Sequence, residues 1–284
     1  MTLRQAVTLA TNEFAVNLHL RADARRDAEL LLLQVFQMDR ATLLAHPDRS
    51  LTPDELAAYQ TAIARRLNHE PIQYITGEQE FFGLKLKVTT ATLIPRPETE
   101  HLVEAVLDRF SRDQPLKILD VGTGTGAIAL ALAAHLHRAE IIAVDLSPEA
   151  LEVAYENAVT HNLAGRVRFL QSDLLEGLAS SEREAAFNVI VSNPPYIPQG
   201  DLAGLHPQVR DYEPAQALFA GPLGIEIYSR LIPQAHAALK AGGLLAMEIG
   251  HGQSEALSSL LADWEDVRFI ADLQQIPRVV LARK

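Results

Sequence analysis

The chain has 284 residues, 48% of them hydrophobic, enough for one large domain or two smaller ones with a sizeable buried core. It has no cysteine, which excludes disulfides and thiolate metal sites, and no apolar run approaches the roughly 18–20 residues of a membrane span. Its net charge of -11 disfavours direct nucleic-acid binding, since phosphate contacts require a basic face; residues 1–75, with eight Arg against nine Asp and Glu, carry almost none of that excess.

Residues 2–75 read as helical. Leu30, Leu31, Leu33, Phe36 and Met38 give an apolar face wide enough to bury on both flanks. Thr52 caps a helix with Pro53 in its first turn and Asp54 and Glu55 behind it; Pro71 stops the chain after about Asn68. Residues 1–75 are therefore expected to form a small helical domain. Residues 76–95 read as a linker with a β-hairpin, because Leu84, Leu86 and Val88 alternate with Lys85 and Lys87 after Gly83. Pro97 and Glu98 open a helix predicted to run through Phe110, and the third region, 96–284, starts here. Glu98 and Glu100 read most simply as acids in a first helical turn, favoured by the dipole, with an acceptor-pocket role as the alternative.

From Leu116 onward strands and helices alternate. Strands are predicted over 117–121, 140–144, 167–171, 187–192 and 244–249. Helices are predicted over 127–137, 148–161 with Ser147 as cap, 225–239 and 254–261. The last segments, 267–273 and 278–282, read as a hairpin. This alternation predicts an α/β fold whose parallel sheet is covered by helices on both faces. Residues 197–222 read as a long irregular stretch, a candidate lid. Trp264 is assigned to the core. No spacing of histidines and acids suggests a metal site. With no signal-peptide stretch at the N-terminus, a cytoplasmic location is expected.

Two loops carry the chemistry. Asp120-Val121-Gly122-Thr123-Gly124-Thr125-Gly126 joins the first of the alternating strands to its helix, and glycines there allow close backbone approach to a ligand. The spacing differs from a P-loop, no Gly-Lys-Ser/Thr follows, and Asp120 is expected to repel a pyrophosphate. Asp145, at the end of the next strand, can accept both hydroxyls of a ribose, and Asp173 an adenine amino group. These fit a nucleoside that carries a cation in place of phosphates, S-adenosyl-L-methionine.

The second loop is Asn193-Pro194-Pro195-Tyr196, directly after the apolar run Val189-Ile190-Val191. Two successive prolines fix two φ angles and remove two N–H donors, leaving a rigid, acceptor-rich surface. Such a surface suits a substrate that presents an NH2 group. The Asn193 side-chain oxygen and the Pro194 carbonyl are expected to take its two hydrogens, with Tyr196 packed on the planar acceptor. Two acceptor classes remain open at this point: a side-chain amide, and an adenine or cytosine amino group.

With both loops in hand, the chain resembles the HemK/PrmC family, the protein-(glutamine-N5) methyltransferases of peptide chain release factors. The resemblance also rests on Pro95-Arg96-Pro97-Glu98-Thr99-Glu100, on Tyr212-Glu213-Pro214 with Ala217-Leu218, and on Pro277-Arg278-Val279-Val280. It implies a class I S-adenosylmethionine-dependent methyltransferase fold (Rossmann-like) with an N-terminal helical domain that docks the release factor. It implies that class I release factors are partners, that the glutamine of their Gly-Gly-Gln loop is the acceptor, and that S-adenosyl-L-homocysteine is the product. Carried onto this chain, Gly122, Thr123, Gly124, Thr125, Gly126, Asp145 and Asn193 contact the cofactor, and Asn193, Pro194, Pro195 and Tyr196 hold the glutamine. Relatives often place an aromatic residue after the acid equivalent to Asp173; here Leu174 offers apolar packing without stacking. Glu213 is expected to order the lid or touch substrate.

Overall fold

The computed structural model describes residues 1–284. It divides into two compact units: Met1–Glu78 with Leu205–Tyr212, and Gln79–Gly204 with Glu213–Lys284.

The first unit is helical: α1 (Leu3–Ala15), α2 (Ala24–Phe36), α3 (Arg40–Ala45), α4 (Pro53–Leu67) and α5 (Ile72–Thr76). Full capping boxes start α1 at Thr2 with Gln5 and α4 at Thr52 with Glu55, each satisfying two otherwise unpaired N–H groups. The core gathers Leu3, Phe14, Leu31, Leu32, Tyr59 and Ile63, and the Tyr59 hydroxyl donates to the Ala28 carbonyl at 2.8 Å. The α2 face is rotated from the expected one. Leu32 is buried and Leu30 exposed, because the stripe that meets α1 and α4 includes Ala24, Ala28, Leu31 and Leu32. A buried ion pair, Arg66 Nε to Asp27 Oδ2 at 2.8 Å, links α4 to α2.

The second unit begins with a two-stranded hairpin, β1 (Glu78–Phe81) and β2 (Leu84–Lys87), and α6 (Pro97–Leu107). Then follow β3 (Leu116–Val121), α7 (Ala127–His135), β4 (Ala139–Asp145), α8 (Pro148–Thr160), β5 (Val167–Gln171) and β6 (Phe187–Ser192). The next segment, expected to be irregular, is built from short elements. It holds β7 (Ile197–Pro198), a 3-10 turn at Gln199–Gly204, α9 (Pro207–Arg210), α10 (Ala215–Leu218) and β8 (Phe219–Gly221), which pairs with β7. A stretch of this length needs internal backbone hydrogen bonds to stay ordered. Its part 205–212 belongs to the first unit: the Tyr212 hydroxyl donates to the Asn68 carbonyl at 2.8 Å. The chain ends with α11 (Glu226–Ala238), β9 (Leu239–Glu248), α12 (Ser254–Leu260), β10 (Glu265–Ala271) and β11 (Pro277–Arg283).

Seven strands form one sheet in the order β10-β11-β9-β6-β3-β4-β5. The five from β9 to β5 are parallel and β11 runs antiparallel between β9 and β10. β9 starts five residues before the expected 244, since Leu239 pairs with Phe187 before a bulge carries the chain to Leu244 opposite Val189. One apolar cluster packs α6 and α7 on one face, and another packs α11 and α12, with Trp264, on the other. The strand order reverses at β3. The chain moves outward through β4 and β5, then returns to place β6 on the other side of β3. Ligands of open α/β sheets bind in the crevice beyond the strand ends at such a point.

Candidate active site

Both sequence motifs emerge at this reversal. Val121 at the end of β3 pairs with Ser192 at the end of β6, so the glycine loop and Asn193 start side by side. The Ser192 hydroxyl donates to the Val121 carbonyl at 2.7 Å and ties the two strand ends together.

The glycine loop folds back over β4, with the N–H groups of Gly122 and Thr123 both donating to the Val144 carbonyl. Gly124 has φ +55°, and its N–H donates to Asp145 Oδ2 at 2.8 Å; Asp145 Oδ1 accepts from the Ser147 N–H at 3.0 Å. Burial raises the Asp145 carboxyl above the ordinary carboxylate range against the pull of these N–H donors. Gly126 caps α7 with φ +83°, where a side chain would press on Leu130 and Ala154.

Asp120 lies elsewhere than its sequence reading required. It is fully buried beneath the loop, where Oδ2 accepts from the Thr123 hydroxyl at 2.6 Å and the Ala129 N–H at 3.2 Å. Its Oδ1 has no hydrogen-bond partner, and burial pushes the carboxyl up to about 7. Asp120 therefore braces the loop from behind and faces no ligand.

A cavity of about 450 Å³ opens in front of the loop. Gly122, Thr123, Gly124, Thr125, Asp145, Asp173, Leu174, Asn193, Pro194 and Pro195 all line it, so the structure brings most of the expected site residues together. Gly126 stands behind the wall. Pro95 and Pro214-Ala215-Gln216-Ala217 complete the rim. The walls hold the acids Asp145, Glu149 and Asp173 but no Lys, Arg or His. Asp173 is not free: its Oδ2 accepts from Arg230 at 2.7 Å. Leu174 sits at φ +48° and packs against the core below the cavity.

Tyr196 departs from expectation. It does not line the cavity; its ring packs on the core and its hydroxyl donates to Glu248 Oε1 at 3.2 Å. The cause is a clamp on the backbone: Gln253 Nε2 donates to the carbonyls of Tyr196 and Gly224 at 2.9 and 3.0 Å. Burial, with the adjacent Glu248 carboxylate, pushes the phenol pKa above its ordinary value.

Two residues that sequence reasoning did not single out complete the site. Asn193 Nδ2 donates to Thr99 Oγ1 at 3.2 Å, and Thr99 Oγ1 donates to Glu248 Oε2 at 2.5 Å. Glu248 is buried, and burial raises its carboxyl above the ordinary range. Its signal was a lone charge closing the apolar run Leu244-Leu245-Ala246-Met247. Glu98 and Glu100 do not line the cavity; Glu100 accepts from the Phe82 N–H at 2.8 Å. Glu213 is buried, accepts from the Ile94 N–H and pairs with Arg96, which anchors the chain just before Pro214.

Comparison with known proteins shows which family carries this fold. Residues 5–77 match the PrmC N-terminal domain and residues 112–274 a methyltransferase domain. The chain is 46% identical over 288 residues to the release factor glutamine methyltransferase of Koribacter versatilis, covering 100% of this chain and 99% of the relative. It is 46% identical over 260 residues to the enzyme of the same name from Moorella thermoacetica, covering 92% and 89%. A solved methyltransferase from Pyrococcus furiosus shares the fold at 21% identity and a TM-score of 0.51, over 79% of this chain and 98% of that one. The chain belongs to the release factor glutamine methyltransferase family, whose members are S-adenosylmethionine-dependent enzymes.

Proposed function

We propose that this enzyme methylates the side-chain amide nitrogen, N5, of the glutamine in the Gly-Gly-Gln motif of class I release factors. The observation that carries its chemistry, transfer to an NH2 group, is the pairing of Val121 with Ser192, which sets an acceptor-rich Asn-Pro-Pro loop beside a glycine-lined cavity with no basic wall. The kinship to release factor glutamine methyltransferases supports glutamine as the acceptor.

The cavity fits S-adenosyl-L-methionine. Its volume of about 450 Å³ lies within the range of small-molecule sites. A wall with acids and no cations suits a cationic nucleoside and is unfavourable to a diphosphate. In this reading Asp145 accepts ribose hydroxyls, Gly122 to Thr125 approach the ligand closely, and Leu174 packs on the base. Asp173 keeps one oxygen for an amino group. The bound cofactor supplies an electrophilic methyl group on a sulfonium.

A glutamine amide is a weak nucleophile, because its nitrogen lone pair is delocalised into the carbonyl. Its N–H is also barely acidic, so a general base offers little. Asn193 Oδ1 and the Pro194 carbonyl accept the two amide hydrogens and fix the direction of the nitrogen lone pair. As the nitrogen–carbon bond forms, the sulfur–carbon bond breaks to leave S-adenosyl-L-homocysteine, and one of the two hydrogens leaves the methylated nitrogen as a proton to solvent. The two prolines hold these acceptors without motion, so the gain is chiefly one of orientation and exclusion of water. Tyr196 contributes by anchoring the loop through Glu248, not by covering the acceptor. Helical residues 1–75 dock the release factor, 76–95 form the linker, and 96–284 carry the transferase. A cytoplasmic location fits a substrate of the translation machinery, and no helix is long and apolar enough to cross a membrane.

The test is to supply methyl-labelled S-adenosylmethionine with a release factor, its Gly-Gly-Ala variant, or bulk DNA or RNA. Label in the intact release factor alone supports the proposal. Equal label in the Gly-Gly-Ala variant, or label in nucleic acid, overturns it.

A further inference from the structure

We infer that Thr99 and Glu248 are positioning residues that set which end of the Asn193 side-chain amide faces the acceptor. The inference rests on reading Asn193 as an acceptor for the glutamine N–H.

An asparagine amide has a donor end and an acceptor end of nearly the same shape, so its neighbours decide which end faces a ligand. Asn193 and Thr99 both line the cavity, and Asn193 Nδ2 donates to Thr99 Oγ1 at 3.2 Å. A threonine hydroxyl has a single hydrogen. That hydrogen is committed to Glu248 Oε2 at 2.5 Å, so Oγ1 has only lone pairs to offer Asn193. Nδ2 must therefore take the Thr99 side, and Oδ1 is left for the cavity.

Strand register makes this arrangement possible. Ser192 pairs with Met247 across β6 and β9, so Asn193, the first residue after β6, follows beside Glu248, the last residue of β9. Thr99 reaches both from the first turn of α6. The other carboxylate oxygen accepts from the Tyr196 hydroxyl at 3.2 Å. The Glu248 backbone carbonyl accepts from the Tyr228 hydroxyl at 2.9 Å. Both oxygens of the buried carboxylate thus receive hydrogens, as an ionised carboxylate requires.

The direction of the whole chain depends on that ionisation. A proton on Oε2 donates to Thr99 Oγ1 and releases the threonine hydrogen. The released hydrogen then points at Asn193 and favours Oδ1 on the Thr99 side. The amide turns over, and an N–H2 group faces the N–H2 of the substrate. A glutamine at 248 does the same at every pH, because the hydrogen of the Tyr196 hydroxyl holds its carbonyl oxygen and leaves Nε2 to donate to Thr99. The charged and titratable groups facing Glu248 are Glu98 from α6, which disfavours ionisation, Arg278 from β11, which favours it, and the phenols of Tyr196 and Tyr228.

The experiment measures kcat, KM for a release factor, cofactor Kd and the Asn193 side-chain amide resonances in wild type, Glu248→Gln, Thr99→Val and Thr99→Ser. Wild-type transfer to the glutamine is the control for the underlying reading; its absence overturns that reading and this inference together. Given wild-type transfer, Glu248→Gln and Thr99→Val each lower kcat by at least about tenfold, with cofactor Kd within about threefold of wild type. Thr99→Ser, which keeps the hydroxyl, recovers to within about threefold. The wild-type acid limb of kcat, centred above the ordinary glutamate range, disappears in Glu248→Gln. The Asn193 amide protons shift in Glu248→Gln and stay in place in Thr99→Ser. Wild-type-like kcat in Glu248→Gln, a loss confined to KM, or unchanged Asn193 resonances overturns the inference and leaves the glutamine reading standing.

Discussion

Asn193 combines a fixed backbone, set by two prolines, with an amide whose donor end is held by Thr99. Replacing it with alanine removes the acceptor and leaves the glycine loop and Asp145 in place. Turnover should fall by about 100-fold, with cofactor Kd changed by less than about fivefold, as stopped assays and calorimetry can check. Comparable losses in both would make Asn193 mainly a cofactor contact. Asp120 gives a second test. Its carboxyl titrates at about 7 in the folded protein because burial opposes its charge. In the unfolded chain it titrates near the ordinary value of about 3.9. Between these values the folded state binds more protons, so this residue's contribution to stability is fully present below about pH 4 and is lost as pH rises to about 7. Asp120→Asn has no such proton to lose. The stability of wild type relative to the variant should therefore drop by about 2 kcal/mol between about pH 5.5 and 8, measured by urea unfolding. A constant difference would place the Asp120 pKa near its unfolded value. The two loops that line the cavity were legible at this scale because proline pairs and glycine clusters restrict the backbone wherever they occur. Thr99 and Glu248 were not, because their meaning is a hydrogen-bond direction, which exists only once β6, β9 and α6 meet.

At the scale of elements, the strand-to-helix turn after β3 is the most demanding piece. Gly126 begins α7 at φ +83°, and an added Cβ would stand 3.2 Å from Leu130 Cδ1 and 3.3 Å from Ala154 Cβ. Gly126→Ala should cost about 1–3 kcal/mol of stability, seen as a lower urea midpoint. Because Gly126 is behind the cavity wall, cofactor affinity of the folded fraction should change little. A variant as stable as wild type would contradict the packing described. The alternating strands were readable because parallel strands buried on both faces are short apolar runs closed by turn residues. Thr52 and Ser147 marked their helix starts by capping chemistry, and the structure shows both caps. The α2 face was misjudged at Leu30, since four consecutive leucines hide the phase of the helix. The segment after Asn193 read as irregular because its helices are single turns held by tertiary contacts, too short for any periodicity to register.

For the whole molecule, function follows from the reversal of strand order at β3. It brings together two loops that are about 70 residues apart in the chain and of unrelated chemistry. The net charge of -11 and the cavity without basic walls act in the same sense: both disfavour a polyanionic substrate. Which chemistry the crevice performs was legible from its two loops, whereas the acceptor's identity came from resemblance, since an NH2 group on a base and on an amide present the same hydrogens to Asn193. The most direct measurement is therefore tandem mass spectrometry of a release factor after incubation with the enzyme and S-adenosylmethionine. The account predicts one added methyl group, located on the side-chain nitrogen of the Gly-Gly-Gln glutamine, and none elsewhere. A methyl group on any other residue, or an unmodified glutamine beside an enzyme that binds its cofactor, would contradict it.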